Sequence, residues 1–198
     1  MRRWMARAAV AAAAAAWLVA TGAGFGRLWL YAYTPGPAAT APSTWPSTSL
    51  PRDPARPTLV MILHPECSCS RASLEELARV VAHTRTRASV LVLFAVPATL
   101  SLAPDNPLWA EASAIPGVRT VVDAGGREAA RFGATVSGQA FLYDAEGRLR
   151  FSGGLTAARA HAGDNDGEAA VRAFVLTGRA PIDAAPSFGC PLREKARS

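Results

Sequence analysis

The fold is decided by residues 58–71, which have the sequence Thr58-Leu59-Val60-Met61-Ile62-Leu63-His64-Pro65-Glu66-Cys67-Ser68-Cys69-Ser70-Arg71. The first six residues form a continuous apolar run, which is typical of a central strand covered on both faces. The apolar spacing then becomes helical and predicts a helix from about Arg71 to Thr84. Cys67 and Cys69 therefore precede a helix start, where unpaired backbone N–H groups favour a thiolate over a thiol.

A third cysteine, Cys190, lies far along the chain in Phe188-Gly189-Cys190-Pro191-Leu192. Three cysteines in this placement indicate redox or metal chemistry rather than a disulfide scaffold. A bend at Ser68 would allow a strained, easily exchanged bridge between Cys67 and Cys69. Alternatively, Cys190 folds back to pair with one of them, either as a resolving thiol or as an inert staple for the C-terminal segment.

Strands and helices alternate through the rest of the chain. Strands are predicted at 88–96, 118–123, 140–143 and 149–152, and the last two form a hairpin. Helices are predicted near 108–114, 126–132 and 167–176, and polar residues 164–166 are expected to cap the last one. This order predicts an α/β fold, a mixed central sheet flanked by helices, with the thiols at the carboxyl end of its first strand.

The N-terminal residues predict a transmembrane helix. Arg2, Arg3 and Arg7 precede the uncharged run Ala8–Gly26, whose 19 residues match the roughly 20 that cross a bilayer. The positive-inside rule keeps the N-terminus cytoplasmic and exports the rest. A cleaved signal peptide shares these features, but no Ala-x-Ala site closes the run, which favours an uncleaved anchor.

Composition divides the chain into three parts. These are an anchor at residues 1–33, a Pro-rich linker at 34–57 and a domain with a C-terminal tail at 58–198. The linker is expected to be a semi-extended tether, with Trp45 docked on the domain. The formal charge is +6, but no basic stripe is interleaved with aromatic residues, which argues against nucleic acid as a partner.

The segments LHPECSCSRASLEEL (63–77), FLYDAEGRL (141–149) and FSGG (151–154) resemble those of the thioredoxin-like superfamily, in particular the membrane-anchored TlpA-like and RedB-like proteins of bacterial envelopes. The resemblance covers most of residues 58–180 and implies a thioredoxin-like sheet. It places Cys67 at the nucleophilic position of a Cys-x-x-Cys pair, Ser70 at the resolving position, and Gly138 where the family has a cis-proline. The RedB-like group shares the Cys-x-Cys and the distal Gly-Cys-Pro-Leu.

The resemblance implies a membrane-tethered thiol–disulfide oxidoreductase without a cofactor, on the periplasmic side of the bacterial inner membrane. Its substrates would be thiols and disulfides of envelope proteins. Cys67 would attack, and Cys69 or Cys190 would resolve the mixed disulfide. Cys67 is expected to be exposed and alkylated first, with Arg71 nearby, whereas Cys69 is expected to lie deeper.

Two other functions remain open from the sequence. Cys67, Cys69, Cys190 and His64 together offer thiolates and an imidazole, which suit copper as Cu(I) or zinc as Zn(II). The spacing lacks the paired Cys-x-x-Cys repeats that indicate a structural zinc site. The remaining alternative is a non-catalytic scaffold, in which the thioredoxin-like domain only presents a binding surface.

Overall fold

The computed structural model describes residues 2–85, 87–98, 102–103 and 105–192, so residues 193–198 of the predicted domain lie outside the description. The chain divides into an N-terminal unit that ends at Thr34 and a second unit that begins at Pro35. The first unit is one helix, α1 (Arg2–Tyr33), with no buried residue. By length and composition α1 is able to cross a bilayer, and it extends beyond the predicted apolar run at both ends.

The second unit is built around a six-stranded sheet. The strands are β1 (Thr58–Leu63), β2 (Ser89–Val96), β3 (Val118–Ala124), β4 (Gln139–Tyr143), β5 (Leu149–Gly154) and β6 (Ala184–Ala185). The helices described between and after them are α2 (Ser70–Thr84), α3 (Pro107–Ala114), α4 (Arg127–Arg131) and α5 (Asp166–Thr177).

The sheet has the order β3-β2-β1-β4-β5-β6. Every residue of β1 is buried, as its unbroken apolar run predicts. β2 and β3 lie parallel on one side of it, while β4 and β5 form the predicted antiparallel hairpin on the other. β6, which pairs parallel with β5, is not predicted from the sequence because two alanines carry no periodic pattern.

The two faces of the sheet are covered differently. On one face, residues of α2, α3 and α5 form a core cluster with alternate residues of β1, including Met61. On the other face, the second core cluster contains Phe132 next to α4, together with Leu50 from the linker and Leu192 from the C-terminus. Because so little helix covers the second face, segments without regular structure complete its burial.

The linker follows the surface of the domain. Trp45 packs edge-on against Phe132 and Tyr143, with ring centroids 5.3 and 5.2 Å away, so its predicted docking is confirmed. The backbone N–H of Trp45 also donates to the Gly147 carbonyl at 2.7 Å. Composition alone predicts an extended segment here but does not indicate these contacts.

The last helix begins where its polar residues predict. Asn165, one of the three expected caps, accepts a hydrogen bond from the Glu168 N–H at 2.8 Å. This bond satisfies one of the N–H groups that a helix start leaves without an intrahelical partner.

Candidate thiol site

The first two cysteines lie in the turn that joins β1 to α2. The Cys67 N–H donates to the His64 carbonyl at 3.1 Å, and the Ser70 N–H donates to the Cys67 carbonyl at 3.0 Å. Cys69 is the N-cap residue of α2, and its side chain makes no capping hydrogen bond. The turn therefore presents both thiols at the carboxyl edge of the sheet, beside the helix start.

The third cysteine belongs to residues 186–192, here called the tail. It runs antiparallel to residues 135–138, here called the β4 loop because they lead into β4. The Ser137 N–H donates to the Cys190 carbonyl at 2.8 Å, and the Leu192 N–H donates to the Thr135 carbonyl at 3.0 Å. Since the Leu192 side chain is also buried in the second core cluster, the tail is held at Cys190 and at Leu192.

The structure brings all three cysteines together. Their sulfur atoms lie within 4.8 Å of one another, and all three are free thiols. Among the described residues, the group that could hold a metal comprises these cysteines without His64. The His64 Nδ1 instead accepts a hydrogen bond from the Glu66 N–H at 3.2 Å.

Cys67 is the hydrogen-bond acceptor of the cluster. Burial raises the pKa of its thiol, but hydrogen bonds from the side chain and backbone of Cys190, the backbone of Cys69 and the hydroxyl of Ser70 outweigh that effect, so the net pKa is lowered. Hydrogen bonds donated to the charged form stabilise a thiolate. Cys67 is therefore the thiol that ionises first.

The pKa values of the other two thiols shift in the opposite direction, upwards. Burial and the charge of Cys67 raise the pKa of Cys69. Burial, the hydrogen bond to Cys67 and the nearby thiolates raise the pKa of Cys190 to about 12. The positive charge of Arg159 opposes both increases. Of the three thiols, Cys67 is thus the one whose pKa is lowered, while the other two are harder to ionise.

The arginine whose charge acts on the thiols is not the one next to them in sequence. Arg71 makes an ion pair with Glu111 at 3.0 Å on the surface, whereas Arg159 is the arginine whose charge acts on Cys69 and Cys190. The Arg159 guanidinium also donates to the Gly189 carbonyl, one residue before Cys190. No motif surrounds Arg159, so nothing in the sequence alone could have identified it.

The backbone beside Arg159 has an unusual conformation. Ala160 has φ 55°, a left-handed conformation that costs a residue with a side chain about 1–3 kcal/mol. The turn is closed by a hydrogen bond from the His161 N–H to the Ala158 carbonyl at 3.3 Å. This turn directs the chain so that Arg159 reaches the tail.

Two buried serines extend the hydrogen bonding of Cys67. The Ser70 and Ser137 hydroxyls lie 2.9 Å apart, and the Ser137 oxygen accepts from the His64 N–H at 2.8 Å. The Ser70 hydroxyl also lies 3.4 Å from the His64 carbonyl, a second acceptor beside Cys67. From the sequence, Ser70 stands out only because it takes the place of the resolving cysteine, and Ser137 carries no signal at all.

The expectation of an exposed Cys67 is wrong. Its side chain is 2 % exposed and that of Cys69 is 5 % exposed, whereas Cys190 is half-buried. The path of the tail, which no local pattern predicts, brings the side chain and backbone N–H of Cys190 against the Cys67 sulfur. At the position of the family's cis-proline, Gly138 has φ 89°, and no cis peptide bond occurs in the described ranges.

Comparisons with known proteins yield structural neighbours. The chain matches no protein-family model and no curated protein. It is similar to a hypothetical protein from Sinorhizobium meliloti 1021, with a TM-score of 0.60 and 23 % identity over 81 % of this chain and 98 % of the other. The fold is thioredoxin-like. An uncharacterised conserved protein from Geobacillus kaustophilus matches with a TM-score of 0.59 and 19 % identity, over 84 % of this chain and 95 % of its own.

A copper-bound ScoI from Bradyrhizobium japonicum has 14 % identity over 53 % of this chain and 79 % of its own, with a TM-score of 0.39. That likeness is too remote to inform the chemistry of the site. The neighbours bear on the fold alone, and the function has to be argued from the thiols themselves.

Proposed function

We propose that this protein is a membrane-tethered thiol–disulfide oxidoreductase that acts on envelope proteins at the periplasmic side of a bacterial inner membrane. The observation that carries the proposal is the hydrogen bonding of Cys67, which favours its thiolate and places a second thiol, Cys190, beside it. Helix α1 would be the anchor, and the arginines before it favour a cytoplasmic N-terminus.

The reaction would be a two-step exchange. The Cys67 thiolate attacks one sulfur of a partner's disulfide, whose S–S bond breaks, and the other partner sulfur leaves as a thiolate that takes up a proton. Cys190 then loses its proton and attacks the Cys67 sulfur, and the second partner sulfur leaves. Two electrons pass to the partner, which becomes a dithiol, while Cys67 and Cys190 become a disulfide; the reverse steps would oxidise a partner.

The contacts favour Cys190 over Cys69 as the resolving thiol. Cys190 directs both its side chain and its backbone N–H towards Cys67. Cys69 is separated from Cys67 by one residue of a hydrogen-bonded turn. Arg159 would assist the second step, because its positive charge favours ionisation of Cys190.

Mass spectrometry of the full-length protein in detergent, equilibrated in redox buffers, tests the proposal. A Cys67–Cys190 disulfide should form at the poise of periplasmic oxidants, about −120 mV. Reduced protein should convert a model disulfide to thiols, and the Cys67→Ser variant should not. If all three cysteines stay free at that poise, the proposal is wrong.

A second candidate, binding of Cu(I), is favoured by the proximity of the three sulfur atoms. Thiolates bound to one metal at about 2.3 Å lie no more than about 4.6 Å apart, which matches the observed separation within 4.8 Å. Soft thiolates select Cu(I), whereas a structural Zn(II) site needs a fourth ligand, and His64 lies outside the group.

The Cys69→Ser variant distinguishes the two candidates. A three-sulfur site loses one ligand in Cys69→Ser, so Cu(I) binding, measured by competition with a Cu(I) chelator, should weaken in that variant. The oxidoreductase needs only Cys67 and Cys190, so the same variant should retain disulfide exchange. If alkylation of every cysteine leaves partner binding unchanged, the domain is a scaffold instead.

A further inference from the structure

Cys69 takes no part in the two-step exchange, although its sulfur belongs to the same group. The three sulfur atoms lie within 4.8 Å of one another, and an S–S bond is about 2.05 Å long. Cys190 is on the tail, whereas Cys67 and Cys69 share the turn before α2. A short movement of Cys190 would therefore allow it to bond with either of the other two sulfurs.

Most of the hydrogen bonds that Cys67 accepts would survive oxidation of the other two thiols. One donor is the thiol of Cys190, which a disulfide consumes. Three further donors are the backbone N–H groups of Cys69 and Cys190 and the hydroxyl of Ser70, and a disulfide changes none of these groups. Cys67 would therefore still be stabilised as a thiolate if Cys69 and Cys190 were bonded to each other.

The same donors oppose a disulfide at Cys67. A sulfur in a disulfide carries no charge and is only a weak acceptor, and Cys67 is 2 % exposed. The backbone N–H groups of Cys69 and Cys190 would then face an acceptor too weak to satisfy them, which costs free energy. The hydroxyl that donates to Cys69 belongs to Ser68. Because Ser68 is exposed, it can bond to water instead when Cys69 is oxidised.

We propose that Cys69 is a third redox-active thiol, which takes the disulfide over from Cys67 by attacking the Cys190 sulfur. In this step Cys69 loses its proton to water and its sulfur bonds to that of Cys190, while the Cys67–Cys190 bond breaks and Cys67 leaves as a thiolate. Cys69 is oxidised and Cys67 is reduced, so no other electron donor or acceptor is needed. The inference rests on the proposed function, which forms the Cys67–Cys190 disulfide in the first place.

Two further features favour this direction of transfer. The attacking species is the thiolate of Cys69, and the positive charge of Arg159 favours its ionisation. The leaving sulfur is that of Cys67, and a thiolate that accepts several hydrogen bonds leaves more readily. The oxidised protein would then hold Cys67 as a free thiolate beside a Cys69–Cys190 disulfide, and reduction of that one bond would restore the site.

Mass spectrometry of the native full-length protein in detergent tests the transfer. Reduced protein is oxidised with one equivalent of a pyridyl disulfide, unfolded at acidic pH, where exchange is slow, and labelled on its remaining thiols with N-ethylmaleimide. Only Ser68 separates Cys67 from Cys69, so fragment-ion sequencing identifies which of the two carries the label. At least about half of the oxidised protein should carry it on Cys67, because the disulfide moves away from the better leaving group.

The position of the label separates this inference from the proposed function. A label found only on Cys69 means that the Cys67–Cys190 disulfide persists, which overturns the inference and supports the oxidoreductase. A label found mainly on Cys190 reveals a Cys67–Cys69 disulfide and also overturns the inference. If all three cysteines are labelled, no disulfide has formed, and the proposed function and the inference both fail.

A pair of serine variants tests the cause of the transfer. Ser70→Ala removes one donor to Cys67, so the ratio of the Cys69–Cys190 to the Cys67–Cys190 disulfide should fall about two- to tenfold, as expected for one hydrogen bond. Ser68→Ala is the matched control, because Ser68 donates to Cys69 instead, and it should leave the ratio at or above the native value. An equal fall in both variants contradicts the inference.

The Cys67→Ser variant shows whether the disulfide passes through Cys67. Without this nucleophile, the Cys69–Cys190 disulfide should form about a hundredfold more slowly than in native protein, although both of its cysteines are present. The measurement is the same labelling and fragment-ion sequencing at a series of times. Formation at the native rate would mean that Cys69 and Cys190 are oxidised directly, and the transfer from Cys67 would be refuted.

Discussion

The start of α2 and the tail bring cysteines to the same point by different means. Cys67 and Cys69 are held between a central strand and a helix, inside the hydrogen-bonded turn that joins them. Cys190 is held by a few backbone hydrogen bonds and by the burial of Leu192. Segments with few buried contacts open at a far lower free-energy cost than core elements. We therefore expect the attacking thiol to be the more rigid one and the thiol beside it to lie on a detachable segment.

The largest effect on disulfide exchange is expected from a change at Cys67, in the turn between β1 and α2. Cys67→Ser should lower the rate of disulfide exchange by about a thousandfold or more, the scale of loss when a nucleophile is removed. The measurement is reduction of a fluorescent model disulfide by full-length protein. Ser68→Ala, at an exposed position in the same turn, is the matched control and should retain activity. Full activity in Cys67→Ser would assign the nucleophile to the tail.

At the detachable side, Cys190→Ala should affect the second step alone. The first attack should persist, because Cys67 is intact. The mixed disulfide should then accumulate, and the turnover rate should fall about a hundredfold, which corresponds to about 2.8 kcal/mol in the activation free energy. Mass spectrometry of the trapped adduct and steady-state rates measure the two steps separately. Cys69→Ser should turn over at close to the native rate. If Cys69→Ser accumulates the adduct and Cys190→Ala does not, the two resolving roles are reversed.

Loosening the tail without changing any thiol should have an intermediate effect. Leu192→Ala removes a buried side chain, a change that costs about 2 kcal/mol at the lower end of measured values. Opening of the tail should become about thirtyfold more frequent, and alkylation of Cys67 should accelerate accordingly. Leu176→Ala, at an exposed site on α5, should leave the rate unchanged. Equal labelling of both variants would mean that the tail does not cover Cys67.

The smallest effect concerns the pH dependence of Cys67. Ser70 donates to its thiolate, so Ser70→Ala removes a bond to the charged form and the pKa of Cys67 should rise towards its ordinary value. Alkylation near pH 7 should slow about two- to tenfold, as expected for one hydrogen bond, and should recover at high pH. Ser68→Ala, which removes a hydrogen bond to Cys69 instead, should not shift the profile.

The sequence predicts the sheet well because its central strands are long and apolar. The bounds of β1 are as predicted, and those of β2 and α2 differ by one residue at the N-terminal end. The turn that carries Cys67 and Cys69 can also be predicted, because the apolar pattern shows both where β1 ends and where α2 begins. The pairing of the tail with the β4 loop is not visible, because backbone hydrogen bonds between segments distant in sequence leave no periodic signal.

Proximity in sequence is a poor guide to the charges of the site. Arg71 is two residues from Cys69, yet its side chain is on the surface and binds Glu111 of α3. Arg159 is distant in sequence, yet it binds the tail next to Cys190. His64 is likewise near Cys67 in sequence but outside the sulfur group.

Ser70 differs from a cysteine by a single atom, and that atom decides which part of the chain would be cross-linked when the site is oxidised. A cysteine at this position would confine a disulfide to the first turn of α2, with no consequence for distant residues. With a hydroxyl there, the proposed disulfide instead ties the C-terminal segment to the centre of the domain. A protease that cuts extended chains would then cleave residues 186–192 readily in the reduced protein and slowly in the oxidised one.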